Sequence, residues 1–75
     1  LYSAMKAAAG AIRAGQNNAL DHCTDQILAA GFDKVDYVEL RDAATLAPPV
    51  DLDGPLRLLV AAWLDDVRLI DNIPV

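Results

Sequence analysis

The sequence holds one cysteine and one histidine, Cys23 and His22, in 75 residues. A single thiol forms no internal disulfide, and one His beside one Cys leaves no structural zinc set. Basic residues are scarce as well: six Lys and Arg stand against eleven Asp and Glu, for a net charge of −5 and a pI near 4.4. This balance argues against a nucleic-acid partner, because phosphate contacts need clustered Lys and Arg. No run approaches the roughly 18 uninterrupted apolar residues of a membrane span, and the Ala-rich start lacks the basic n-region of a signal peptide. The expected setting is the cytoplasm. The four glycines, Gly10, Gly15, Gly31 and Gly54, stand alone, so there is no phosphate-cradling loop.

What is present, 55% hydrophobic and 23% charged residues, describes one globular domain over residues 1–75, since a second core would leave each half too small. A chain of this length buries about 60% of its unfolded surface and rarely gains more than ~3–5 kcal/mol from its core. With no disulfide or zinc, the remaining support is expected from another surface. The chain opens at Leu1 inside an amphipathic pattern, without an initiator methionine or a cap, and is expected to be part of a longer one.

Leu1, Met5, Ala8, Ala9 and Ile12 recur at helical spacing, with Ser3, Lys6, Arg13 and Gln16 opposite and Gly15 as the stop. Asn17 or Asn18 then opens a second helix, whose stripe of Leu20, Cys23, Ile27, Leu28 and Ala30 ends at Gly31. From Val35 to Leu40 β-branched and aromatic residues alternate with charge, which predicts a strand. Asp42 caps a single helical turn through Leu46, and Pro48-Pro49 forbids its continuation. After a loop through Gly54-Pro55, Leu56–Leu64 and Val67–Ile73 predict a hairpin turning at Asp65-Asp66. The fold class is α+β: a two-helix hairpin packed on a three-stranded antiparallel sheet, with a short helical turn between strands one and two.

In a wholly antiparallel sheet the segment from Leu56 lies in the middle. One face then carries Leu56, Leu58, Val60, Ala62 and Leu64, and the other Arg57, Leu59, Ala61 and Trp63. Two helices cover only one face. The apolar residues of the second therefore predict cover by something outside this chain.

No catalytic constellation emerges. His22, Cys23 and Asp25 resemble parts of a nucleophilic site, but helix neighbours point about 100° apart and do not converge on one atom. Cys23 reads as core and His22 as a solvated residue between Asp21 and Asp25. Asp65, Asp66 and Asp71 suggest a cation site, yet the first two are explained by the demands of a tight turn. Arg41, Arg57 and Arg68 can meet a ligand or pair with acids in the sheet, and the sequence favours pairing.

Two stretches are more specific: Val35-Asp36-Tyr37-Val38-Glu39-Leu40-Arg41-Asp42, and Arg57-Leu58-Leu59-Val60-Ala61-Ala62 continuing through Arg68-Leu69-Ile70-Asp71-Asn72. In this order, after two Ala-rich helices, they resemble the C-terminal domain of the pantothenate synthetase (pantoate–β-alanine ligase) family. The resemblance implies a lid over an active site that uses ATP and Mg2+ to activate pantoate as an acyl-adenylate for attack by β-alanine. It implies that the catalytic, cofactor-binding and metal residues lie in a larger N-terminal nucleotide-binding domain. The histidine-containing adenylylation motif of that domain and the Ser-Ser-Arg-Asn motif near the domain junction, which also contacts the nucleotide, are not in this chain. No catalytic residue and no cofactor is accordingly assigned to it, and its expected partner is its own N-terminal domain. The sequence departs from the family at Trp63, where Arg is usual, and at Asp65, where Gly is usual. The competing expectation is a free-standing acidic interaction module or homodimer that associates through Leu59, Ala61 and Trp63.

Overall fold

The computed structural model describes residues 1–49 and 54–75. Its elements run α1 (Tyr2–Arg13), α2 (Ala19–Ala29), β1 (Lys34–Asp42), β2 (Leu56–Leu64) and β3 (Val67–Pro74). The sheet is antiparallel in the order β1-β2-β3, as the chain directions require. Positions 50–53 of the expected loop lie outside the described residues.

The helix ends are set by glycine. After α1 the Gly15 N–H bonds the Ile12 carbonyl and the Gln16 N–H the Ala11 carbonyl, and this Schellman pair needs the left-handed residue that Gly15, at φ +81°, supplies. Gly31, at φ +107°, closes α2 with its N–H on the Leu28 carbonyl. Asn18 stands at the start of α2 as expected, but its side chain makes no capping bond. Only its carbonyl takes part, accepting from His22 N–H at 3.0 Å.

One turn follows β1. The Asp42 carboxylate accepts from the N–H groups of Ala44 and Thr45 at 2.9 and 3.1 Å, and Leu46 N–H donates to the Asp42 carbonyl at 2.8 Å. Leu46 then takes φ +60°, so the turn stops there, before the prolines can end it. At the β2–β3 connection both central residues are left-handed, Asp65 at +50° and Asp66 at +68°. That is the pattern of a two-residue I′ hairpin turn, whose twist matches the strands it joins.

The core fills the space between the helices and one face of the sheet. Met5, Ala8 and Ile12 from α1 and Ala19, Cys23 and Ile27 from α2 meet Leu58, Val60 and Ala62 of β2 and Ile73 of β3. Val35, Val38 and Leu40 of β1 pack at its margin. Leu56 is buried on this face too, whereas Leu64, expected with it, is 36% exposed at the hairpin end. Both β1 and β3 are edge strands, and β3 ends one position beyond expectation, at Pro74.

Candidate functional site: the open face of the sheet

The opposite face is built in rows across the three strands. The register aligns Arg41, Arg57 and Pro74, then Glu39, Leu59 and Asn72, then Tyr37, Ala61 and Ile70. The last row pairs Trp63 with Lys34 on one side and Arg68 on the other. None of these residues belongs to the core cluster that the helices help to form. Ala61 is nevertheless fully buried, because its single methyl lies below the level of larger neighbours: Tyr37 and Ile70 in its row, Leu59 and Trp63 along its strand. Ile70, on the edge strand, remains 61% exposed.

A β-bulge shapes one end. The register of β1 slips between Val35 and Tyr37, leaving Asp36 as the extra residue. The Asp36 carboxylate accepts from Trp63 Nε1–H and from Arg68 Nε–H, each at 2.9 Å. One side chain from each strand is thereby tied into a single polar cluster. Lys34 completes it, its Nζ lying 5.0 Å from the centroid of the Trp63 ring. The Trp63 hydrogen bond, and with it Arg68 and Lys34, holds the Asp36 carboxyl below its ordinary pKa against a partial desolvation that raises it.

Two of the three arginines meet acids: Arg68 pairs with Asp36 at 2.9 Å, and Arg41 with Glu39 two residues back on its own strand. The third, Arg57, donates to the side-chain carbonyl of Asn72 at 2.9 Å. The bulge was absent from the expected strand. Its signal is a break of phase, since Val35, Val38 and Leu40 all pack on the core yet cannot share one parity in a regular strand.

The helical candidates do not converge. Cys23 is 1% exposed and its Sγ–H points at the Ala4 carbonyl, 3.7 Å away. Burial pushes its thiol pKa up. His22 and Asp25 are exposed on α2. Asp65 and Asp66 are committed to the hairpin turn, where Asp65 N–H donates to Asp33 Oδ2 at 2.9 Å. Asp71 sits on the helix-covered side, opposite Val60. Among the described residues no three His, Cys, Asp or Glu side chains are grouped to hold a metal ion.

The model of the pantoate-beta-alanine ligase family matches residues 1–74. The chain belongs to that family. It is 53% identical over 77 residues to the pantothenate synthetase of Chelativorans sp. (strain BNC1), a match covering all of this chain and 27% of that protein. The pantothenate synthetase of Cereibacter sphaeroides (strain ATCC 17029 / ATH 2.4.9) is 56% identical over 77 residues, covering 100% of this chain and 28% of the relative. That of Paramagnetospirillum magneticum (strain ATCC 700264 / AMB-1) is 53% identical over 78 residues, with 100% and 27% covered. The chain therefore spans little more than a quarter of the length of these ligases. No helix among the described residues is long and apolar enough to cross a membrane.

Proposed function

We propose that this chain is the C-terminal lid domain of a pantothenate synthetase. The complete enzyme condenses pantoate with β-alanine in the cytoplasm, consuming ATP through a pantoyl-adenylate and releasing AMP and pyrophosphate. The observation that carries this reading is the full-length match: identity of 53–56% over 100% of the chain, against 27–28% of each relative. On this reading, as the family resemblance implies, ATP, Mg2+ and both substrates are bound by the rest of the polypeptide, and the contribution of this domain is to cover the site and exclude water from a hydrolysable intermediate.

The test replaces the matching segment of the Chelativorans enzyme with this chain and measures AMP formation dependent on pantoate and β-alanine. The hybrid is expected to turn over, the same enzyme lacking the segment to fall at least about 100-fold below it, and the 75-residue chain alone to be inactive. Turnover by the chain alone, or undiminished turnover by the shortened enzyme, would overturn the reading.

A further inference from the structure

The backbone of β3 has two sides. The two-residue turn makes Leu64 and Val67, which flank it, a hydrogen-bonded pair, so the odd-numbered residues of β3 aim their N–H and C=O groups at β2. The Val75 N–H on the Leu56 carbonyl, at 2.9 Å, is the far end of that series. Arg68, Ile70, Asn72 and Pro74 therefore aim theirs outward, along the free edge. Pro74 has no N–H to offer, and the Asn72 N–H rests on Oδ1 of neighbouring Asp71 at 2.8 Å. Beside this edge Val67, Leu69 and Ile70 are 56%, 37% and 61% exposed. The other free edge is guarded: β1 carries the bulge at Asp36 and the charges of Lys34, Glu39 and Arg41, and both features oppose strand addition.

We infer that β3 pairs with β3 of a second copy of this chain, the two strands running antiparallel about a two-fold axis at Ile70. The inference goes beyond the lid reading and does not depend on it. Symmetry and chemistry together select the register. A two-fold axis normal to the sheet keeps like faces side by side, so outward residues of one copy meet outward residues of the other. Centred on Leu69, the ladder joins only Arg68 to Ile70 and leaves the Asn72 N–H without a strand partner. Centred on Asp71, it sets two like charges directly opposite and brings the Pro74 ring against Arg68. Centring nearer either end of β3 loses further rungs. Centred on Ile70, Arg68 meets Asn72, Ile70 meets itself, and every outward N–H of both copies finds a carbonyl. Pro74 then falls opposite the turn residue Asp66, past the last rung, where its missing donor is not needed. No like charges stand opposite each other, the exposed Ile70 side chains meet at the axis, and Val67 lies opposite Ile73. The seam is an edge, distinct from the face of Leu59, Ala61 and Trp63. Being narrow, it makes a weak, exchanging pair. Asp71 limits its strength, because its carboxylate competes for the Asn72 N–H with the Arg68 carbonyl of the second copy.

The test uses the hybrid ligase with Ile70→Cys, Leu69→Cys or Lys6→Cys, oxidised with diamide and read as disulfide-linked dimer on a non-reducing gel. Residues of a hydrogen-bonded antiparallel pair have Cα atoms about 5.5 Å apart, within reach of a disulfide, and the native Cys23 is buried. Cross-linking at position 70 is expected to be at least tenfold faster than at position 6 and at least threefold faster than at position 69, with all three rates equal in denaturant. In the Ile70→Cys background, Asn72→Pro should slow it at least threefold and Asn72→Ala should not, since only the proline removes an outward N–H. Asp71→Ala, which frees that N–H without a proline, should speed it at least twofold. A rate at position 70 no greater than at position 6 would overturn the pairing, and a maximum at position 69 would overturn the register. Equal effects of the two Asn72 substitutions would overturn the backbone ladder, and no gain from Asp71→Ala would overturn the competition. Cross-linking is read without turnover, so an inactive hybrid that still links at position 70 refutes the lid function alone, and an active hybrid that does not link refutes the pairing alone.

Discussion

The two faces of this sheet are made by the same nine residues of β2 and have opposite physics. Leu58 is fully buried beneath both helices, and Leu59, its neighbour on the opposite face, is only half-buried. The covered face is held by packing, each wholly buried side chain contributing about 1.5–3 kcal/mol. The open face is held by polar ties across strands: Asp36 with Trp63 and Arg68, Arg57 with Asn72. Packing specifies the fold, while ties of this exposed kind add little to it and leave the face chemically addressable.

The largest effect that separates the faces is expected from Leu58→Ala, which removes about 2–5 kcal/mol. In a domain of this size that lowers Tm by about 10 °C or more, measurable by thermal unfolding. Leu59→Ala, on the other side, should cost about 1 kcal/mol; equal losses at the two positions would erase the distinction.

The hairpin turn belongs to neither face. Asp65→Asn with Asp66→Gly supplies the residues that a I′ turn prefers and should raise stability by about 0.5–1 kcal/mol, read as a shift of the urea midpoint with unchanged slope.

Asp36 gives the open face a pH signature. Its folded pKa lies below the unfolded value, so its contribution is present above about pH 4, the ordinary carboxylate range, and is lost as pH falls through the depressed folded value. The Tm difference between the native chain and Asp36→Asn should therefore be constant near neutrality and close in acid. A gap independent of pH would remove the electrostatic account of the cluster. The smallest effect is expected from Ile70→Ser, within about 0.5 kcal/mol in the chain alone, because that side chain is already 61% exposed.

Much of this comparison was legible in the sequence. The limits of β2 followed from an apolar run bounded by the turn signals Gly54-Pro55 and Asp65-Asp66, and its central place from chain direction. The stops at Gly15 and Gly31 followed from the glycines themselves. Three features were hidden, two because they depend on groups far apart in sequence and one because it depends on a single side-chain rotation. A bulge at Asp36 is a mismatch between two strands, visible in one of them only as a broken phase. The missing cap at Asn18 is decided by which way a short side chain turns. The burial of Ala61 goes with the longer side chains that the register sets around it, Tyr37 and Ile70 across the sheet and Leu59 and Trp63 along the strand.

The edge position of β3 has a consequence for handling. Along its free side run backbone N–H and C=O groups that no other strand among the described residues engages, Asn72 N–H alone being turned to Oδ1 of neighbouring Asp71 at 2.8 Å, beside side chains at Val67 and Ile70 that are 56% and 61% exposed. Such an edge is a template for another strand. Pro74, with no N–H to offer, and the charge of Asp71 blunt its far half, which leaves the half nearest the hairpin as the place where crowding the isolated chain would first turn a clear solution into intermolecular sheet.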